Sequence, residues 1–117
     1  MLTEEDRERE RLRYILESIV RIEQYTAGGE EAFLTQPIIQ DAVLRRLETL
    51  ADATSKLSDA LKGRHPEIPW RQVYGFRNIA AHGYLELHLD RVWEIIESHL
   101  SSLKAVVAEE LECSDQC

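Results

Sequence analysis

Apolar residues recur at three- and four-residue spacing through most of the chain, and this period constrains its fold more than any other feature. Leu12, Ile15, Ile19 and Ile22 form one stripe, and the pattern predicts a helix from about Thr3 to Tyr25. Ile39, Val43, Leu47, Leu50, Leu57 and Leu61 form a second, on a helix from about Gln36 to Lys62 with Thr35 and Pro37 at its start. A short helix follows from Trp70 to His82. The last, from about His88 to Leu111, turns Leu89, Val92, Trp93, Ile96, Leu100, Leu103 and Val107 inward. Three prolines and five glycines punctuate the pattern, with Thr26-Ala27-Gly28-Gly29, the turn Gly63 to Pro69, and Gly83 as helix stops. No segment alternates with strand period. The expected fold is an all-α antiparallel helical bundle of four to five helices.

At 117 residues the chain can build one core but not two. Residues 1–112 are expected to form the domain and 113–117 a polar tail. Fourteen basic against 22 acidic residues leave a formal charge of −8, which argues against a protein that coats nucleic acid electrostatically. The segment Lys62 to His82 departs from this. Lys62, Arg64, Arg71 and Arg77 stand against Glu67 alone, a local +3 that leaves −11 for the rest. A basic patch on an acidic body suits a small RNA site or a basic protein partner. Cys113 and Cys117 cannot complete a zinc site, and no histidine stands beside them at ligand spacing. The charged first segment has no apolar signal core, and no run reaches membrane-spanning length. Free thiols and a soluble, cytoplasmic protein are expected, with no metal, no cofactor and no membrane partner.

Chemistry concentrates in Gly75-Phe76-Arg77-Asn78-Ile79-Ala80-Ala81-His82-Gly83-Tyr84. Arginine offers a permanent forked charge that fits phosphate, and histidine exchanges protons near neutral pH. Asn78 and His82 are four residues apart and share a helical stripe. Arg77 and His82, five apart, are separated by about 140° around a helix axis. They flank a common edge, and the reach of the arginine is needed for both to meet one phosphate. With Gly83 as the stop, His82 falls in the final turn, where the negative end of the helix dipole favours imidazolium. His65, His88 and His99 read as background. Trp70, Trp93 and Tyr74 read as core or interface aromatics.

Arginine, four residues, histidine, one residue, tyrosine resembles the signature of the HepT-like HEPN ribonuclease toxins. The likeness extends to Asp41-Ala42-Val43-Leu44-Arg45-Arg46-Leu47-Glu48, to Leu57-Ser58 followed by His65-Pro66-Glu67-Ile68-Pro69-Trp70, and to Asp90-Arg91-Val92-Trp93. It runs from about Asp6 to Leu111. The resemblance implies a HEPN-like bundle that pairs as a homodimer with motif helices facing across the interface. It implies metal-independent RNA cleavage in which His82 moves the proton and Arg77 grips the phosphate. Asn78 is either a support for the imidazole or ribose, or an ordinary helix-surface amide. Tyr84 matches the family's acceptor of AMP from a partner antitoxin, a minimal nucleotidyltransferase. Gly83 departs from the acidic residue common at that place. Two other readings stand beside this one: a non-catalytic HEPN subunit that binds a nucleotidyltransferase, and a helical dimerisation domain with a chance motif.

Overall fold

The computed structural model describes the backbone of residues 2–86 and 88–116 and the side chains of residues 2–81 and 88–113. These form six helices: α1 Glu4–Tyr25, α2 Glu30–Thr35, α3 Pro37–Ser55, α4 Asp59–Arg64, α5 Trp70–Glu86 and α6 Leu89–Gln116. Four are long and two have only six residues each, which is why the count exceeds the four to five expected. No strand occurs among the described residues, and none of these helices is long and apolar enough to cross a membrane.

Helix α1 begins on a capping box. Thr3 Oγ1 accepts the Asp6 amide at 3.0 Å, and Asp6 Oδ2 accepts the Thr3 amide at 3.1 Å. Glu4, Glu5 and Asp6 place negative charge where the helix dipole is positive. At its end, Thr26 Oγ1 donates to the Ile22 carbonyl at 2.7 Å. Gly29 then turns the chain at φ 95°, a left-handed geometry that a side chain would strain. This turn launches α2, which the periodicity does not reveal because six residues are too few to show a stripe. Its contribution to the core is Phe33, fully buried, with its ring centroid 5.6 Å from that of Trp93.

The second predicted helix is in fact two. Helix α3 stops at Ser55, and Ser58 starts α4 by accepting the Leu61 amide on its hydroxyl at 3.1 Å. The break is held from outside: the Ser58 amide donates to Glu8 Oε1 of α1 at 2.6 Å. Arg11 Nη1, also from α1, donates to the Lys56 carbonyl at 3.2 Å. Orphaned backbone groups of the α3–α4 junction are thus satisfied by a neighbouring helix.

Helix α3 is central, packed against α1 on one side and α5 on the other, while α6 closes on α1. The predicted stripes supply the core, with Ile15, Ile19, Ile22, Val43, Leu47, Leu50 and Val107 fully buried. Ile39, Leu89, Trp93 and Ile96 pack at its margin. Helix α6 continues to Gln116, so the segment expected to be a polar tail is helical as far as that residue.

Candidate active site on the motif helix

Helix α5 carries every proposed site residue, and its start is fastened in two ways. The Trp70 indole donates to the carbonyls of His65 at 3.0 Å and Lys62 at 3.1 Å. His65, nearly buried, holds Glu110 of α6 between its Nε2 and Glu110 Oε2 at 2.6 Å. Its Nδ1 lies 3.3 Å from Glu67, and Arg64 reaches the second oxygen of Glu110 at 2.7 Å. His65 is therefore no background residue. It joins the turn before α5 to the far end of the bundle.

The bond to Glu110 raises the His65 pKa above its usual 6.5, against burial, with Glu67 adding to the rise. Arg64, then His65, hold Glu110 below its usual 4.5, again against burial. His65 gains a partner in the fold, so its contribution is complete below about pH 6.5 and is lost as pH climbs through the raised value. Glu110 has the opposite sign, its contribution being lost as pH falls below about 4.5. His65→Gln should cost roughly 1–3 kcal/mol near pH 6. Urea unfolding at several pH values should also show the variant losing less stability than the parent as pH rises above about 6.5 and through the raised value. Parallel profiles would contradict this assignment.

Past this anchor, Val73, Phe76 and Ala80 face the core, while Arg77, Asn78 and Ala81 are exposed. Arg77 is half-exposed, and its Nη1 lies 3.8 Å from Asp52 Oδ1 on α3. The other Asp52 oxygen is 3.4 Å from Lys56 Nζ. One carboxylate thus stands between two cations at the α3–α5 boundary. The ring of Phe76, on the core side of α5, has its centroid 5.5 Å from that of His99.

The side chains of His82 and Tyr84 lie outside the described residues. Their backbone lies on α5, which does not stop at Gly83 but runs to Glu86. This corrects the expectation that Gly83 ends the helix and leaves His82 in its final turn. His82 sits ahead of the last turn, where the helix-dipole effect has largely fallen away. The helix is also long enough to hold positions 77 and 84, seven residues apart, in one register. A glycine within a helix costs about 1 kcal/mol relative to alanine, which tertiary packing readily outweighs.

The local charge is also redistributed. Arg64 is paired with Glu110, and Lys62 Nζ donates to the Ser55 carbonyl at 3.2 Å. Two of the four cations read as a basic patch are thus engaged away from Arg77. The cation brought close to the motif arginine is Lys56, on another helix. Among the described residues there is no group of three or more His, Cys, Asp or Glu side chains placed to hold a metal ion.

The family model described as HepT-like ribonuclease matches residues 15–110, which include all of the motif helix. The chain belongs to the HepT-like ribonuclease family. Its enzymatic class is accordingly that of an RNA-cleaving nuclease in the HEPN group. The chain is similar to a Thermococcus cleftensis protein named "Probable ribonuclease HepT", 34% identical over 77% of this chain and 83% of the relative. It is also 33% identical, over 90% of its length, to a Methanocaldococcus jannaschii protein named "Gamma-glutamylcyclotransferase and putative RNase". The aligned part spans about half (48%) of that longer relative. No solved structure matches the chain.

The matched range includes the motif helix but does not signal Asp52, Lys56 or the His65–Glu110 contact. Asp52 and Lys56 carry one sequence hint, opposite charges four residues apart on a helix. Which helix they would face depends on how α3 packs against α5.

Proposed function

We propose that this HepT-like chain is a metal-independent endoribonuclease toxin, with Arg77 and His82 as its catalytic pair and Tyr84 as the residue through which it is silenced. The observation that carries the reading is Arg77, half-exposed on a helix that continues through positions 82 and 84, in a chain matched by a ribonuclease family. In this reaction the 2′-oxygen of the substrate attacks the neighbouring phosphorus, and the bond to the 5′-oxygen breaks. The 2′-hydroxyl loses a proton and the departing 5′-oxygen gains one; His82 serves one of these transfers and solvent the other. Arg77, whose described ion pair with Asp52 spans 3.8 Å and is open to solvent, binds the phosphate and stabilises charge as it builds on the non-bridging oxygens. Asn78, one residue after Arg77 and one helical turn before His82, supports the imidazole or a ribose hydroxyl. The unfavourable angle between positions 77 and 82 is relieved if two copies pair through their motif helices, each contributing to one composite cleft.

Silencing follows from charge. A cognate nucleotidyltransferase transfers AMP from ATP to the Tyr84 phenol, which loses its proton as pyrophosphate leaves, and the added phosphodiester competes with RNA for Arg77.

Cleavage should continue in excess EDTA and leave 2′,3′-cyclic phosphate and 5′-hydroxyl ends, read by end-specific labelling of the fragments. Loss of cleavage in EDTA with recovery on adding magnesium would overturn the mechanism. Intact RNA together with stable binding of a nucleotidyltransferase would instead favour a non-catalytic binding subunit.

A further inference from the structure

A groove of about 470 Å³ lies between α1 and α3 and includes in its lining Asp52, the residue paired with Arg77. Arg7, Arg11 and Lys56 line it, opposed by Glu10 and Asp52, and Tyr14 forms part of its wall. Three cations and two carboxylates line it, and Glu4 pairs with Arg7 at 3.5 Å and with Arg11 at 3.4 Å. Arg77, paired with Asp52, adds a fourth cation, so the groove and its margin carry a slight positive excess on a chain of net charge −8. The groove between α1 and α6 has the opposite balance, with Glu5, Glu8 and Glu110 against Arg9 and Arg64.

We infer that the α1–α3 groove seats the RNA strand flanking the scissile phosphate, with Tyr14 as a stacking surface for a base and Arg7 and Lys56 as phosphate contacts. The inference rests on the ribonuclease reading and adds where the rest of the substrate lies. Tyr14 is 38% exposed, so much of its side chain is open to a planar partner. Arg11 is held in place by the Lys56 carbonyl and by Glu4 at 3.4 Å, and it shapes the groove. The side chains of Arg7 and Lys56 are more than half exposed, and their pairs with Glu4 at 3.5 Å and Asp52 at 3.4 Å are open to solvent, so a phosphate can compete for both cations. Asp52 marks the crossing point. Lys56 and Arg77 converge on its two oxygens, so both cations already lean towards one anionic position between groove and motif. A phosphate passing there would compete with the carboxylate for both. The mixed charge of the lining suits a short single strand held by few phosphates, and not a duplex gripped along its length.

The test uses a fluorescein-labelled single-stranded 2′-O-methyl octaribonucleotide, which cannot be cut by the 2′-hydroxyl route, with binding read by anisotropy. Tyr14→Ala should weaken binding by about 5- to 100-fold, while Tyr14→Phe should bind like the parent. Lys56→Ala should weaken binding and lower the slope of log K against log salt by about 0.7. Arg21→Ala, on the outer face of α1, should change nothing. Parental affinity in both Tyr14→Ala and Lys56→Ala, or an equal loss in Arg21→Ala, would overturn the groove. So would unchanged RNA binding accompanied by lost binding of an acidic protein partner. Because the probe is not cleaved, the two readings separate. A parent chain that binds through the groove but never cuts ordinary RNA sinks the nuclease and keeps the groove. One that cuts RNA while the groove variants bind it normally sinks only the groove. A parent that neither binds nor cuts sinks both.

Discussion

Replacing His82 with alanine should slow RNA cleavage by about 10²- to 10⁴-fold, the usual worth of a positioned acid–base group. Arg77→Ala should cost about 10²- to 10³-fold, as expected when one donor to a charged transition state is removed. Neither loss should come from unfolding. Arg77 is half-exposed, and its ion pair with Asp52 spans 3.8 Å between groups open to solvent. Such pairs are worth about 0–1 kcal/mol. Single-turnover rates on a labelled RNA, with thermal melting of each variant, measure both quantities. Arg77→Lys supplies a second comparison. It keeps the positive charge but loses the planar fork, so it should melt like the parent and still lose most of its activity. Near-parental rates in either alanine variant would remove that residue from the catalytic pair.

Modification of Tyr84 should act as an all-or-none control. With its cognate nucleotidyltransferase, ATP and magnesium, the chain should gain one or more AMP units on Tyr84, and cleavage should fall with the modified fraction. Tyr84→Phe should cleave nearly as fast as the parent and resist covalent silencing. The register of α5 motivates this, since the helix continues through position 84 and keeps it in line with position 77. Each AMP adds a phosphodiester charge near the phosphate-binding arginine, so RNA affinity should fall together with rate. Intact-mass and peptide mapping decide the matter. AMP on Tyr14, Tyr25 or Tyr74 would remove Tyr84 as the acceptor, and no adduct while inhibition persists would show that the partner acts by covering the cleft.

The long helices and their buried stripes were legible because 3.6-residue periodicity is a local property of the chain. The motif residues were legible through resemblance, since Arg-x4-His alone says little. Features set by tertiary contact were not. Ser58 is a good helix cap by composition, but the apolar stripe continues across it. What fixes the break is the Glu8 carboxylate arriving from α1. Gly83 reads as a stop because propensity counts the cost of glycine, yet α5 continues through it to Glu86. The basic patch was overread for a similar reason. Charges adjacent in sequence were summed, whereas Arg64 turns to Glu110 and Arg77 meets Asp52 and, through it, Lys56. His65 looked inert because its partner lies 45 residues away.

The first turns of α1 lie ahead of the segment that matches the family, which begins at residue 15. They nonetheless supply Glu8 to the Ser58 amide and Arg11 to the Lys56 carbonyl. Expression designs trimmed to the family boundary would therefore discard the outside support of the α3–α4 junction. The same cut would remove the α1 wall of the groove that leads to Arg77. In this chain, the family boundary does not coincide with the limits of the working unit.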